Sequence, residues 1–281
     1  TGMNCARVVL QYAVWEDDAK YFKRVFKKFL ALCDNHNIKV MPIFFDDCVF
    51  GVNTDPKVGD QGEPLKGWYA WAWSPSPGRS MVYDERTHWK LEKYVKDIMT
   101  AFKDDDRIML WDLYNEPNLR GLEGNVSMPL LRNVFVWARE VRPSQPVSVG
   151  VWTDKESCKE MSEFQLANSD IITYHCYNGQ KAQVDQIKYY KSFGRPVICT
   201  EYMARTRGSR FETDLPVMRL ADVSAINWGF VSGKSNTIYA WSDPHPEGEE
   251  PEVWFHDILR TDKTPFDSTE VALIKAVNFG L

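Results

Sequence analysis

Short apolar segments alternate with longer amphipathic segments along this 281-residue chain. The short segments are typical of buried strands and the longer ones of helices that cover them. This regular order predicts βα units around a parallel sheet. We predict strands at residues 5–11, 39–45, 107–115, 146–151, 170–176, 196–201 and 225–231, and clear helices at 17–36, 86–103 and 267–278.

The length of the chain suits one α/β barrel. A (β/α)8 barrel of the TIM type commonly forms one domain of about 250 residues, so residues 1–281 are expected to form a single catalytic domain. Seven strands are predicted, whereas a closed barrel has eight. We therefore expect the first βα unit to be missing from this chain. The two open edges would then be covered by residues outside this sequence, by a partner chain in a homo-oligomer, or by a distorted seventh strand.

The charge of the chain limits the classes of partner. A formal net charge of -5 and a pI near 5.6 argue against a protein that binds nucleic acid or an anionic membrane surface, because such binding needs surplus Lys and Arg. No apolar run approaches the roughly 20 residues of a membrane-spanning helix. The six cysteines show no paired metal-ligand spacing and are interpreted as free residues of the core.

Two of the predicted strands end on a glutamate. WDLYNEP carries Glu116 and RPVICTEY carries Glu201. Because the carboxyl ends of parallel strands meet at one rim of a barrel, we expect the two carboxylates to face each other there. Such a pair suits cleavage of a glycosidic bond, in which one acid protonates the leaving oxygen while the other attacks the anomeric carbon or activates water. Pro117 is expected to hold Glu116 in an extended conformation.

The pairing of WDLYNEP with CTEY resembles the Asn-Glu-Pro signature and the nucleophile strand of retaining β-glycosidases with a (β/α)8 barrel, closest to glycoside hydrolase family 5, the cellulase family. The resemblance runs from about Arg7 to the end of the chain. It implies that Glu116 is the general acid/base and Glu201 the nucleophile, and that Asn115 binds the 2-hydroxyl of the sugar. Hydrolysis by two carboxylates needs no cofactor, and none is expected.

The same resemblance assigns further residues to the site. Arg7 resembles the arginine that lies under the nucleophile and keeps it ionised. In TYHCYNG, His175 would contact sugar hydroxyls and Tyr177 would donate to Glu201. Trp228, on the last strand, would form the floor of the subsite that holds the cleaved sugar, with a place in the core as the alternative.

Tryptophans on two long segments extend this list of candidates. The irregular segment 46–84 is expected to be functional because of its length. Exposed aromatic side chains on such segments suggest surfaces on which sugars stack, and we expect one or two of these five to touch substrate. They are Trp68, Trp71 and Trp73 in the first segment and Trp241 and Trp254 after the last strand.

Three aspartates lie near the predicted rim. Asp46 and Asp47 end a strand and would either bind a hydroxyl or a cation or cap the turn that follows. Asp112 shares a strand face with Glu116 and, if buried, needs a partner such as Arg7. The scattered histidines do not indicate a zinc site, and no metal is expected.

The sequence is therefore expected to encode a retaining endo-β-1,4-glycanase that hydrolyses a plant polysaccharide or its oligosaccharides, such as cellulose, β-glucan or xylan. One alternative is an exo-acting β-glycosidase, or a mannan or galactoside hydrolase, on the same barrel. A groove lined by residues 50–84 and 232–256 and open at both ends would indicate endo action, and a closed pocket exo action. The other alternative is a non-catalytic carbohydrate-binding protein or an inactive, truncated barrel. By resemblance the protein would be secreted or periplasmic.

Overall fold

The computed structural model describes residues 1–60, 62–119 and 125–280. Residue 61, inside the predicted loop at 46–84, lies outside this part. The described residues contain seven parallel strands. They are β1 (Cys5–Val9), β2 (Lys39–Asp46), β3 (Trp111–Asn115), β4 (Val147–Ser148), β5 (Ile172–His175), β6 (Val197–Glu201) and β7 (Ser224–Ala225).

The strands follow one another in space in the order of the sequence. Strands β1 to β4 form one sheet and β5 to β7 a second. A parallel bridge between Val151 and Tyr174 joins the two sheets beyond the end of β4. The wall therefore runs from β1 to β7 in the order of an α/β barrel, and all carboxyl ends lie at one rim.

A gap separates β7 from β1 in the described part of the chain, since the recorded ladders do not pair these two strands. A cavity of about 420 Å³ lies here, between Cys5 to Arg7 on one side and Ala225 to Phe230 on the other. All five residues of β1 are only half-buried, whereas all five of β3 are buried. The seven-strand wall is thus open at the place where the sequence predicts a missing unit.

At least one helix follows each strand and covers the outside of the wall. The helices are α1 (Tyr12–Asp17), α2 (Ala19–Asp34), α3 (Arg79–Tyr83), α4 (His88–Phe102), α5 (Met128–Val141), α6 (Lys159–Asn168), α7 (Gly179–Lys191), α8 (Phe211–Leu220) and α9 (Ser268–Phe279). Helix α2 shows why these segments fold as they do. Its buried residues Phe22, Phe26 and Leu30 are spaced four apart and form one stripe, and Asp18 caps its N-terminus.

The core lies between the strands and the helices. One buried cluster packs β2 and β3 against α2, α4 and α5, and a second packs β5 and β6 against α7, α8 and α9. A small third cluster of Met41, Leu110 and Ile198 fills the inside of the barrel. The six cysteines are free, as predicted; Cys5 is half-buried and the others are buried.

The prediction of the last strand, at residues 225–231, is mostly wrong. Only residues 224 and 225 form β7, and the predicted remainder, 226–231, forms no continuous ladder. Gly229 has a φ of +83°, and the amides of Ile226 and Trp228 still donate to β6 and the residue after it. With a neighbour on one side only, the segment loses half the pairing that would keep it extended. The predicted strand at 146–151 is likewise reduced to residues 147 and 148 plus the bridge at Val151.

Candidate active site

The ends of β3 and β6 bring the two predicted glutamates together. Glu201 is the last residue of β6, and Glu116 directly follows β3. His175, the last residue of β5, lies between them. Its Nδ1 is 2.7 Å from Oε1 of Glu116 and 3.5 Å from Oε2 of Glu201. One oxygen of each carboxylate and Nδ1 all lie within 4.8 Å of one another.

The backbone at Glu116 differs from the sequence prediction. Its φ is +42°, in the left-handed region, so the expectation that Pro117 holds it extended is wrong. Strand β3 ends at Asn115, directly before Glu116, and the carbonyl oxygen of Glu116 accepts a turn hydrogen bond from the amide of Leu119 at 3.1 Å. A side chain at positive φ is strained, and such strain is often found at functional sites. The turn directs the carboxylate towards His175.

Arg7 on β1 connects three side chains beneath the site. Its guanidinium donates to Oε1 of Glu201 at 2.7 Å, to Oδ1 of Asn115 at 2.7 Å, and twice to Oδ2 of Asp112, at 2.7 and 2.8 Å. Asp112 is fully buried and has the partner predicted for it. Arg7 itself does not line the cavity above the glutamates, and its contact with Glu201 gives it a supporting position beneath that residue.

The surroundings of Glu201 favour its ionised form. Burial raises the pKa of this carboxyl, but the charges of His175 and Arg7 and the hydrogen bonds from Tyr177 and Arg7 outweigh burial, and the pKa lies below its usual value. Tyr177 donates to Oε2 at 2.7 Å, as predicted, and burial raises the pKa of its own hydroxyl well above the usual range. Glu201 is therefore an ionised carboxylate with both oxygens held.

Asn115 is oriented by residues at the end of β2. Its Nδ2 donates to Oδ1 of Asp46 at 2.8 Å and lies 3.4 Å from the sulfur of Cys48. Asp46 also accepts from Nε1 of Trp73 at 2.7 Å and from the amide of Cys48 at 3.0 Å. Burial raises the pKa of Asp46 to about 6. Asp46 thus serves as a support for Asn115 and Trp73, and its bond to the amide two residues on is the turn-capping role foreseen.

Asp47 does not line the cavity, and its hydrogen bonds join neighbouring segments of the fold. It accepts from the hydroxyl of Tyr114 at 2.8 Å, from the hydroxyl of Ser127 at 2.6 Å and from the amide of Asn118 at 2.7 Å. Burial raises its pKa to about 6. It ties the loop after β3 to the end of β2.

A cavity of about 420 Å³ opens above the two glutamates, which is within the size range of small-ligand pockets. Aromatic side chains line one part of it, and we call this part the aromatic wall. It consists of Phe50, Tyr69, Trp73, Trp228 and Trp241. Loop 46–84 and the segment after β7 both contribute to this wall.

The aromatic wall is held by contacts among its members. Nε1 of Trp228 donates to the hydroxyl of Tyr69 at 2.8 Å, and its ring packs edge-on against Trp73 at 5.2 Å. Trp241 packs edge-on against Tyr177 at 5.0 Å. Trp228 is therefore part of the pocket and not of the core.

Three predicted tryptophans lie elsewhere. Trp68 and Trp71 pack against each other at 5.6 Å and do not line the cavity, so their role in substrate binding stays a prediction. Trp254 is buried and stacks on Phe266 at 4.9 Å. Trp73 and Trp241 are the two of the five candidates that reach the pocket.

Comparison with known proteins gives the family of this fold and site. The model of the family described as Cellulase (glycosyl hydrolase family 5) matches residues 1–237. The chain belongs to glycosyl hydrolase family 5. This result confirms the resemblance found in the sequence.

Solved structures of the same architecture support the fold of this family 5 chain. An endo-1,4-β-D-mannanase from Thermotoga petrophila RKU-1 is 16% identical, with a TM-score of 0.63 over 100% of this chain and 92% of the mannanase. A β-glucuronidase from Ruminococcus gnavus is 14% identical, with a TM-score of 0.56 over 98% of this chain and 44% of that chain. The TIM-barrel fold predicted from the sequence is thereby confirmed.

One curated relative is similar in sequence. A β-glucuronidase from Paenibacillus borealis is 26% identical over 136 residues, which are 44% of this chain. The family 5 chain matches only 21% of the length of that protein. The helices of the described residues include none that is long and apolar enough to cross a membrane.

Several residues of the site were not identified from the sequence. Cys48 donates from its thiol towards Oε2 of Glu116 at 3.6 Å, and burial, followed by the charges of Asp46 and the two glutamates, raises its pKa well above the usual value. Its position two residues after the end of β2 was the available signal. Tyr69, Trp152, Lys155, Asn178 and Arg207 also line the cavity, on loops whose paths a sequence pattern does not give.

The site fits acid–base and nucleophilic chemistry on a neutral ring held by aromatic side chains. Glu116 is 13% exposed and Glu201 8% exposed, so both reach the cavity while remaining shielded from bulk water. Glu116, His175 and Glu201 could also supply three ligand atoms to a metal ion, since these atoms cluster within 4.8 Å. The contacts of Arg7 with Glu201 oppose such a site, because a fixed positive charge there repels a cation.

Proposed function

We propose that this protein is a retaining endo-β-1,4-glycanase that hydrolyses a plant polysaccharide of the cellulose, β-glucan or xylan type. The spacing of the two carboxylates carries the proposal. Retaining glycosidases have carboxyl groups about 5–5.5 Å apart, whereas inverting enzymes leave about 6.5–9.5 Å for a water molecule. One oxygen of Glu116 and one of Glu201 lie within 4.8 Å of each other, which favours the shorter of these two spacings.

In the first step, Glu201 attacks the anomeric carbon and forms an ester bond to the sugar while Glu116 transfers a proton to the departing glycosidic oxygen. The ionised state of Glu201, favoured by His175 and Arg7, suits it as the nucleophile. In the second step, Glu116 takes a proton from water. The water oxygen then attacks the anomeric carbon, and the ester bond to Glu201 breaks. The product keeps its β configuration.

The distribution of aromatic residues supports action on a chain of sugars. Both long segments expected to line a groove contribute to the aromatic wall, Trp73 from the first and Trp241 from the second. Pyranose rings stack their C–H faces on such rings. Enzymes that degrade polysaccharides work outside the cell, and we infer that this protein is secreted or periplasmic.

Kinetics on two classes of leaving group test the roles of the glutamates. Glu201→Ala is expected to lose activity on all substrates, by at least about 10³-fold, because no group replaces the nucleophile. Glu116→Gln is expected to lose activity on oligosaccharides but to keep the first step on a dinitrophenyl β-glycoside, because that leaving group needs no proton. Equal losses of Glu116→Gln on both classes would contradict the acid/base role.

Product analysis tests retention and the site of cleavage. Proton NMR during early hydrolysis is expected to show the β-anomer first. Endo action is expected to release a range of oligosaccharides from soluble xylan or β-glucan and to lower the viscosity early. Initial release of the α-anomer would overturn the double-displacement mechanism, and release of monosaccharide alone would favour an exo-acting enzyme.

A second candidate is an exo-acting β-glucuronidase. The sequence similarity to the Paenibacillus borealis β-glucuronidase favours it. Hydrolysis of an aryl β-glucuronide at a higher kcat/KM than any polysaccharide would establish this alternative.

A further inference from the structure

The pocket has a second lining of a different chemical character. Lys155, Asn178 and Arg207 line the same cavity as the aromatic wall, and we call these three residues the polar wall. They lie on the loops after β4, β5 and β6, which are consecutive around the rim because these strands are neighbours. Two cations, Lys155 and Arg207, therefore line the same cavity.

Arg207 is held in position. Its Nη2 donates to Oδ1 of Asn178 at 2.9 Å, and its guanidinium carbon lies 5.5 Å from the ring centroid of Trp241. A guanidinium over an aromatic face gains cation–π energy and loses conformational freedom before any ligand arrives. Four of its five N–H groups take no part in the bond to Asn178, and the stacking leaves a planar fork available for a ligand.

Neither cation of the polar wall has an acidic partner within the described residues. Arg132 pairs with Glu160 and Arg139 with Asp170 on the outer surface. In contrast, no carboxylate oxygen of the described residues lies within 4.0 Å of a side-chain nitrogen of Lys155 or Arg207. Asp154 lines the same cavity and is not paired with them. Neither cation is thus held in a contact ion pair within this part of the chain.

Arg207 of the polar wall is set back from Glu201 by aromatic side chains. Trp241, beneath Arg207, contacts Tyr177, and Tyr177 donates to Glu201. One aromatic ring therefore separates the guanidinium from the ring that touches the nucleophile. The two intervening rings suit Arg207 to contact a substituent of the substrate, or a neighbouring sugar, more than the anomeric carbon.

We propose that the polar wall binds the carboxylate of a uronic acid carried by the β-glycan substrate. This assignment rests on the proposed glycanase function and narrows its substrate to acidic glycans. A planar carboxylate fits the guanidinium fork with two parallel hydrogen bonds. An acidic protein repels anions at long range, so local cations such as these are needed to hold an acidic substrate.

The test compares polymers that differ in charge alone. Glucuronoxylan is assayed against the same polymer after carbodiimide–borohydride reduction, which converts its carboxylates to primary alcohols. Binding by affinity electrophoresis and kcat/KM are measured for both, and free D-glucuronate is compared with D-glucose as an inhibitor. The parent is expected to favour the acidic form by about fivefold to tenfold in each measurement, the size of one charged hydrogen-bonded contact.

Two variants assign the preference to the polar wall. Arg207→Met is expected to bring the acidic-to-neutral ratio close to 1, and Lys155→Met to lower it in part. Arg24→Met is the matched control, because Arg24 is also exposed and lies over an aromatic ring, Tyr21, at 5.3 Å, but is on the outer helix α2. Its ratio is expected to equal that of the parent.

The outcomes separate the site from the reaction. If the parent binds the acidic polymer more strongly and Arg207→Met abolishes this preference, the site is supported, whether or not a polymer is cleaved. The absence of cleavage of any polymer would overturn the glycanase function and not the site. Cleavage of both polymers with equal kcat/KM and equal binding would overturn the site and leave the glycanase function standing. A ratio that is unchanged in Arg207→Met, or stronger binding of a sulfated xylan than of glucuronoxylan, also overturns the assignment.

Discussion

At the scale of single residues, the two glutamates are distinguished by their neighbours. Glu201 has both oxygens occupied by donors, Arg7 and Tyr177, whereas Glu116 contacts His175 and the thiol of Cys48. Donors of fixed position stabilise a carboxylate that must remain ionised. Within the described residues, no guanidinium contacts Glu116, which suits a group that gives up and regains a proton.

Replacement of Arg7 is expected to change the pH dependence of the reaction. The charge of Arg7 helps to lower the pKa of Glu201, so Arg7→Met should raise that pKa and move the acidic limb of kcat/KM to higher pH. Arg7→Lys keeps the charge, so the acidic limb of kcat/KM for this variant should stay closer to that of the parent. Since Arg7→Met leaves the buried Asp112 without its partner, we also expect a loss of about 3–5 kcal/mol in the free energy of unfolding. An unshifted limb in folded Arg7→Met would show that Arg7 does not control Glu201.

Asp46 is expected to affect catalysis through the side chains that it orients. Asp46→Asn replaces one acceptor oxygen by an NH2 group that faces donors of Asn115 or Trp73, so kcat should fall by about tenfold to a hundredfold, as is usual for residues that position a site. Asp47→Asn is the matched control, because Asp47 is the adjacent residue, equally buried, and does not line the cavity. Its kcat should remain within about threefold of the parent. Equal losses in the two variants would indicate a general effect of removing a buried charge.

At the scale of elements, strands position the chemistry and loops form the walls of the pocket. Glu116 and Glu201 were found from the sequence because the residue at the end of a parallel strand has a known location, whereas His175 was found from the family resemblance. The loop tryptophans could not be assigned in this way. Trp71 and Trp73 are two positions apart, yet only Trp73 reaches the cavity, where Asp46 accepts from its indole. The path of a long loop depends on contacts with distant residues, and these leave no periodic pattern.

The cap of α2 gives a prediction for one element. The side chain of Asp18 accepts from the amides of Lys20 and Tyr21, so Asp18→Ala is expected to lower the free energy of unfolding by about 1 kcal/mol. Asp17→Ala removes an exposed charge at the adjacent residue, which is the last of α1, and serves as the control. Urea unfolding of both variants is the measurement, with kcat expected to be unchanged in each. A loss no larger in Asp18→Ala than in Asp17→Ala would contradict the capping role.

At the scale of the whole molecule, the open seam and the buried acids both affect stability. The half-buried β1 and the cavity beside it show that β1 gains less from burial than β3 does. The count of seven strands was predictable, because each has its own apolar run. The short extent of β7 was not predictable, because strand pairing depends on a neighbouring strand. The apolar run of β7 does not show whether such a neighbour is present.

The pH dependence of stability provides the last prediction, through Asp47. Burial raises its pKa from 3.8 to about 6 in the folded protein, so between pH 4 and 6 the folded state keeps a proton that the unfolded state has lost. The free energy of unfolding of the parent therefore includes a contribution that decreases as pH rises through this window. Asp47→Asn does not titrate, so its stability relative to the parent should improve by roughly 2.5 kcal/mol from pH 4 to pH 7, which is most of the effect of a pKa shift of about two units. Urea unfolding at pH 4, 5, 6 and 7 measures this difference, and Asp104→Asn, at an exposed position, controls for the loss of one charge. A difference between Asp47→Asn and the parent that is constant across this range would mean that Asp47 is already ionised in the folded protein at pH 4.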